Sequence, residues 1–457
     1  MRHYIILSLL FFNWTASATH LRAGYIRAKQ IDCGLTFQIT LTAYVNNASP
    51  VLFGSGGRIR FGDGTIMAMA DAGIQSTPVQ PSVGLVQFTV THTYPALGAY
   101  RISYAEANRD FDIVNIGNSV NTPFYMETEI VIDPQLGCFS SPEMIAPAIF
   151  TATKEQPVSY SFAASNPENI VYSYALVTPL TVSQVDGNPV PTAYTLPENA
   201  TINPINGLFS WDTKYQGMYE LGEYVFTIKI TMWKKQDDGT HFYLGHTSFD
   251  TQVNVIDNLS LPPDLGINKE VDENGRLYVP SNESISVKII CTFASDKNTE
   301  LLAYSELAAN AEVFSFTTHD SVSANHIKVG RLTLHSTEAI NREAPYLITL
   351  RGLEKSPYHA TDLNIMFYTR DVFPETIIMG THDAPSFNVY PNPTSNKITI
   401  QSSGTEPTTY QLINGNGKPI VVPFDLNSMD LSEQPQGLYI LQIKTFQHKK
   451  VIKVIKQ

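Results

Sequence analysis

The chain has 457 residues, 43% of them hydrophobic and 16% charged. That composition excludes a disordered chain, and the length suggests roughly three domains. The formal net charge of −12 excludes the clustered basic surface that nucleic acid requires.

Met1-Arg2-His3 is a short basic start, and Ile5 to Phe12 is an apolar run too short to span a bilayer. Ala16-Ser17-Ala18 supplies small residues for a signal peptidase. Residues 1–18 are expected to be a secretory signal cut between Ala18 and Thr19. No other segment approaches the ~20 apolar residues of a membrane helix, so no transmembrane segment is expected. Only Cys33, Cys138 and Cys291 occur, which is not a disulfide scaffold. An oxidising compartment permits a bond between Cys33 and Cys138, but the sequence does not say whether their Cα atoms come within ~7 Å. Cys291 reads as a small buried hydrophobe.

Residues 19–134 are the first expected domain. Leu35, Phe37, Ile39, Leu41, Ala43 and Val45 alternate with polar residues, the period of a half-buried strand. Val86 to Tyr94 and Tyr100 to Tyr104 repeat the pattern, and glycine-rich turns separate the runs, as in an antiparallel sandwich. In Phe61-Gly62-Asp63-Gly64-Thr65, Asp63 is placed to bond its own downstream backbone and Gly64 to take positive φ. Thr91-His92-Thr93-Tyr94-Pro95 follows about thirty residues on. The pairing of Gly62, Asp63 and Gly64 with His92 and Tyr94 resembles the PKD domain, an immunoglobulin-like sandwich. It departs from the commonest PKD form at Arg58-Ile59-Arg60, where Trp-Asp is usual. Calcium needs six to eight oxygens and this loop offers too few, so Asp63 is read as a turn former. His92 is read as a packed, hydrogen-bonded core histidine. Thr19 to Gly24 and Asn118 to Phe124 resemble parts of large surface proteins of gliding bacteria.

Residues 135–257 are the second expected domain. Val158 to Phe162, Val171 to Leu176 and the alternating run Tyr224 to Ile230 are strands by pattern. Asn203-Pro204 with Gly207, then Trp211, then Gly222-Glu223-Tyr224 resembles the immunoglobulin-like or cadherin-like repeats of bacterial surface proteins. Trp211 is read as an inter-sheet core aromatic. Trp233, beside the polar hairpin Lys234 to Gly239, is the candidate platform for a glycan ring. Residues 258–385 are expected to form a further β-sandwich from pattern alone. Glu300 to Glu312, with Leu301, Tyr304, Leu307 and Ala308 at helical spacing, is expected to be a short helix.

Residues 386–457 carry seven Lys, no Arg and four acids, so the negative charge belongs to the rest of the chain. The segment opens Phe387-Asn388-Val389 and continues Tyr390-Pro391-Asn392-Pro393. It then carries Asp430-Leu431 and Gly437-Leu438-Tyr439, and ends in a lysine-rich strand. It resembles the type A C-terminal sorting domain of cargo of the type IX secretion system. That resemblance implies a sandwich of about seven short strands, recognition by the type IX machinery through Tyr390, Pro391, Asn392, Pro393, Gly437 and Tyr439, and export to the surface or medium of a Gram-negative bacterium via the periplasm.

The sequence contains no His-Glu-x-x-His, Cys-x-x-Cys, Gly-x-Ser-x-Gly or phosphate-loop motif, so no catalytic residue, metal or cofactor is expected. The expected architecture is all-β: tandem immunoglobulin-like sandwiches ending in a small sandwich for sorting. The expected function is a non-enzymatic surface or secreted adhesion scaffold, with glycans or other cell-surface molecules as partners. The second reading is an accessory glycan-binding protein of a carbohydrate-active system, and the third a hydrolase in residues 258–385.

Overall fold

The computed structural model describes residues 21–69, 74–107, 109–167, 170–183, 187–213, 220–235, 241–257, 260–268, 271–272, 274–296, 298–321, 324–356, 358–370, 387–402, 409–414, 418–425, 428–444 and 449–457. The expected signal with Ala18 and Thr19 and the 385/386 boundary lie outside these residues. The chain forms two compact units, Met1–Val372 and Phe373–Gln457.

The first unit begins with β1 (Leu21–Ile31), β2 (Thr36–Asn46), β3 (Arg58–Arg60), β4 (Ile66–Ala68), β5 (Thr77–Gln80), β6 (Val83–Thr93), β7 (Gly98–Glu106) and β8 (Phe124–Ile132). The alternation along β2 works as its period demands. Phe37, Ile39, Leu41, Ala43 and Val45 all enter one core with Ile59, Ile102, Tyr104 and Phe124.

Next come β9 (Glu143–Met144), β10 (Thr151–Thr153), β11 (Pro157–Ser161), β12 (Ala164–Ser165), β13 (Val171–Val177), β14 (Leu180–Val182), β15 (Pro189–Pro191), β16 (Thr201–Ile202), β17 (Leu208–Asp212), β18 (Gly222–Lys235) and β19 (His241–Ile256). Strand β19 pairs with β18 along its length, with β8 at Gly245 to Thr247, and with β1 at Asp250 and Thr251. The result is a twelve-stranded sheet whose main path runs β4-β3-β7-β8-β19-β1-β2-β6-β5, with β18, β13 and β10 joined to it through β19. The expected boundary at 134/135 is therefore crossed by continuous ladders. Gly245 makes the crossing fit: its φ is +137°, and a Cβ there would run into the Glu129 carbonyl oxygen.

The third segment contains β20 (Asp264–Ile267), β21 (Arg276–Tyr278), β22 (Ser284–Thr292), β23 (Thr299–Ser305), β24 (Phe314–Ser321), β25 (Ala324–His335), β26 (Tyr346–Lys355) and β27 (Tyr358–Tyr368). They form two four-stranded sheets, β20-β22-β25-β24 and β21-β27-β26-β23, around Val287, Ile289, Leu332, Ile348, Leu350 and Phe367. Strand β26 is buried on both faces. Ile348 and Leu350 enter this core, while Leu347 and Leu353 join Phe162, Phe209, Trp211 and Phe226 in the core of the second segment. Packing thus also runs across the expected 257/258 boundary.

The expected helix over Glu300 to Glu312 is not formed. Thr299 to Ser305 pairs with β26, and only Glu306–Ala309 coils, as one 3-10 turn capped by the Ser305 hydroxyl. The ladder overrides the helical spacing because a strand sends Leu301 into one core while Leu302 packs on the other.

Among the described residues the second unit contains β28 (Phe387–Tyr390), β29 (Lys397–Ser402), β30 (Thr409–Ile413), β31 (Pro419–Ile420), β32 (Phe424–Asp425), β33 (Ser428–Asp430), β34 (Gly437–Lys444) and β35 (Lys449–Lys456), eight strands where about seven were expected. Two sheets, β28-β29-β33-β32 and β31-β30-β34-β35, enclose Ile398, Ile400, Leu412, Met429, Leu431, Tyr439, Leu441, Ile443 and Val454.

Candidate functional site

In the tail, the Tyr390 to Pro393 motif lies against the last strand. β35 is the outer strand of its sheet, and its free edge would expose unpaired N–H and C=O groups. Asn392 closes it with both ends of its amide. Its Nδ2 donates to the Lys453 carbonyl (2.6 Å), and its Oδ1 accepts from the Ile455 N–H (2.9 Å). The next residues extend the clasp. Thr394 N–H donates to the Ile455 carbonyl and Gln457 N–H to the Thr394 carbonyl, each at 2.8 Å. Lys456 Nζ donates to the Ser395 carbonyl. Pro391 and Pro393 flank Asn392, and both of the bonds before them are cis. Gly437 opens β34, and Tyr439 is buried with its hydroxyl donating to the Pro435 carbonyl at 2.7 Å. Asp430 accepts from the Ser432 hydroxyl and N–H, which hold its carboxyl below the usual range with help from Lys397. The six motif residues thus split into an edge clasp and the start of the central strand.

The residues singled out in the first segment also come together. Thr65 N–H donates to Asp63 Oδ1 (2.9 Å), the expected turn, and His92 Nε2 lies 2.7 Å from Asp63 Oδ2. Burial pushes the Asp63 carboxyl up, but the bonds from Thr65 and His92 outweigh it and leave the group below its ordinary value. The His92 ring stacks on Phe61 (4.1 Å) and meets Tyr94 edge-on (4.8 Å), and the Tyr94 hydroxyl donates to the Phe61 carbonyl (3.1 Å). Gly62 has φ +91°, and a Cβ there would lie 2.6 Å from the Arg101 nitrogen. This cluster braces the turn against β6.

Cys33 and Cys138 form a disulfide with Cα atoms 5.0 Å apart, and Cys291 is free and buried. Trp211 is buried among Tyr224 and Phe226. Trp233 is half-buried; its N–H donates to Ser173 Oγ (3.0 Å) and its ring meets Tyr243 edge-on. Among the described residues no group of three or more His, Cys, Asp and Glu is placed to hold a metal. No helix among them is long and apolar enough to cross a membrane.

Sequence reasoning missed the polar residues buried in the first unit. Arg109 makes a two-pronged ion pair with Asp250, both arms at 2.8 Å, with each side chain at most 1% exposed. Arg351 does the same with Asp362, both arms at 2.7 Å, and also donates to the Pro147 carbonyl. Asp362 in turn accepts from the Ser161 N–H, tying the third segment to the second. His246 lies 3.0 Å from Glu127 Oε1 and 2.7 Å from the Tyr243 hydroxyl, which donates to Glu129. Burial would raise Glu127, but the His246 bond and the Arg101 charge overcome it and hold the carboxyl at about 2. This chain of carboxylate, imidazole and phenol is built like a proton relay, yet its far end closes on another buried carboxylate. Glu223 is pushed up to about 7 by burial and by the neighbouring Asp110 carboxyl, against the pull of Arg22 at 3.7 Å. Arg109 with Asp250 and Glu127 with His246 have no sequence signal, because the partners lie more than a hundred residues apart; Arg351 and Asp362 meet across the adjacent strands β26 and β27.

Residues 388–457 match the family described as "Secretion system C-terminal sorting domain". No curated protein matches the chain. Among solved structures the chain is similar to titin domains A168-A170, at 9% identity over 69% of this chain and 97% of that one, with a TM-score of 0.18. It is also similar to an ICAM-5 D1-D4 ectodomain fragment, at 10% identity over 92% and 95%, with a TM-score of 0.18. A third likeness is to dimeric latent PorU from Porphyromonas gingivalis, at 10% identity over 69% of this chain and 32% of that one, with a TM-score of 0.15. At these scores the likenesses add nothing to the fold, which stands on its own sheets. The tail match carries the conclusion: residues 388–457 are a type IX secretion sorting domain, and this chain is secreted cargo of a Gram-negative bacterium, delivered to its outer surface or beyond.

Proposed function

We propose that the passenger, the first unit, is a non-enzymatic scaffold that presents an adhesive surface outside the cell. The observation that carries this reading is the continuous twelve-stranded sheet with its shared cores. A passenger interlocked in this way suits the holding of a fixed surface at the end of an export route. Its strongly perturbed groups support the same reading. Glu127 and His246 are bound up with each other, and Glu223, raised by burial and by Asp110, also has Arg22 3.7 Å away. Such groups serve as internal ties rather than as a reactive cleft. The test is binding of the purified passenger to host-relevant cells, matrix protein and polysaccharide. Binding to any of these above background supports adhesion. Uniform failure leaves only a spacer.

A second reading, glycan binding, is favoured by one feature. Phe111 is 63% exposed and is followed by the exposed Asp112, an aromatic face of the kind a sugar ring meets. Phe111→Ala should abolish polysaccharide retention if this reading holds, and Trp233→Ala should leave it unchanged.

A further inference from the structure

A small sandwich needs only its two inner faces to be apolar; its outer faces meet water. In the tail these outer faces differ. On β29 the outward positions are Lys397, Thr399 and Gln401, and across the ladder Lys397 faces Asp430 while Thr399 faces Ser428. That face is polar at these positions, with the aromatic Tyr390, 49% exposed, opposite Thr399. On the other sheet the outward positions include Ile413, Leu438, Ile440, Val451 and Ile455, with the polar Gln411, Gln442 and Lys453 among them. Leu438 faces Ile455, Ile440 faces Lys453, and Ile413 faces Ile440. Leu438 is 48% exposed, Val451 52% and Ile455 45%.

One exposed leucine is ordinary, but apolar neighbours arrayed across three strands of one face are not. The fold does not require them, because the tail's core lies on the opposite side of the same strands. We infer that this outer face, made by β30, β34 and β35, is the surface by which the tail docks on the secretion machinery. The partner it fits has an apolar patch with a carboxylate placed opposite Lys453. The inference rests on the tail being the sorting domain and does not depend on what the passenger binds.

Two observations select this occupant. The edge of β35 is already closed by Asn392 and Thr394, so over that stretch a partner meets the face rather than adding a strand. A second copy is disfavoured by charge. A self-complementary pairing of this face would bring two Lys453 ammonium groups into one apolar contact with no acid among the outward residues named above. A partner with a carboxylate there satisfies the lysine and covers the patch.

The test is made in the native host with the full-length chain. Leu438→Thr and Ile455→Thr together keep strand-forming residues while removing the apolar contact. The comparison variants are Thr399→Ser with Gln401→Thr on the polar face, Lys453→Glu, and a chain lacking residues 387–457. The exported fraction and the fraction held in the periplasm are measured, along with the protease resistance of each protein. The double threonine variant should lose export by about tenfold or more, the scale of a lost interface anchor. Lys453→Glu should lose it several-fold, and the polar-face variant should export as the parent does. Export of both outer-face variants at parental level, with the tail deletion blocked, would overturn the docking face and leave the sorting role standing. Export of the tail deletion itself would overturn both. A change in oligomeric state with export intact would make the face a self-association surface and overturn the inference. Should the threonine variant lose protease resistance, the exposed Lys453→Glu decides alone.

Discussion

The passenger unit and the tail hold their strands together by different means. The passenger buries charge. Arg109 with Asp250, Arg351 with Asp362, and Glu127 with His246 lie among its strands, tying segments more than a hundred residues apart or bracing neighbouring strands. The tail is held by a compact set of hydrophobic residues and by backbone hydrogen bonds to its last strand, with Thr394 and Lys456 its buried polar residues among those described. A buried ion pair adds little net stability, but loss of one partner strands a charge, so such ties fix how segments meet more than how strongly they hold. The tail carries its own core and its own edge bonds. That suits a module whose task is recognition.

The comparison can be broken most sharply at Arg109. Arg109→Ala leaves Asp250 buried and unpaired, and should cost the passenger about 3–5 kcal/mol in denaturant unfolding. The exposed pair Lys328 with Asp320 gives the contrast: Lys328→Ala should cost less than about 1 kcal/mol. Equal effects would mean that the buried pair is no tie.

The tail should answer to cavities instead. Leu441→Ala, at 0% exposure in its core, should cost about 2–5 kcal/mol. Its effect should confine itself to the tail, with the protease resistance of the passenger unchanged.

A third prediction concerns pH. The Glu223 carboxyl is raised to about 7 in the folded chain from an ordinary 4.5. The folded form therefore binds a proton that the unfolded form has already released. Stability contributed by this site is present below about 4.5, declines as pH rises through about 7, and stays flat above. The loss across that window is at most about 3 kcal/mol, reduced by the partial exposure of the group. Glu223→Gln should remove the slope and make the passenger more stable than the parent at pH 7.5. An unchanged slope would place the titration elsewhere.

A smaller effect than at the cores is expected at the clasp. Asn392→Ala returns the Lys453 carbonyl and the Ile455 N–H to water, costing about 1–2 kcal/mol. Hydrogen exchange at the Ile455 amide should speed up while that of the Leu441 amide holds. Parallel acceleration at both would mean that Asn392 supports the core rather than the edge.

Much of this was legible in the sequence. The period-two runs at Leu35 to Val45 and Tyr224 to Ile230 became β2 and β18, since the alternation is itself the burial pattern of a strand. The Asp63 turn followed from local backbone chemistry, and the tail from a motif set dense over 70 residues. Long-range pairing was hidden. Arg109 and Asp250 are 141 residues apart, and neither has a neighbour that announces the other. The 300–312 segment misled because Leu301, Tyr304 and Leu307 satisfy a helical period, whereas the pairing of Leu301 with Gly352 decides the outcome. The pairing of β19 with β1 and β8 crosses the expected 134/135 division, and the two-faced burial of β26 crosses the expected 257/258 division. Asn392 was legible as part of a motif, but not as a side chain standing in for a neighbouring strand.

The central claim is that residues 388–457 direct this chain through the type IX route. Its most direct test is to express the full chain and a chain lacking residues 387–457 in the native host, and to measure each in periplasm, on the surface and in the medium. The account predicts the full chain outside the cell and the shortened chain trapped in the periplasm. Equal amounts of both outside the cell would contradict it.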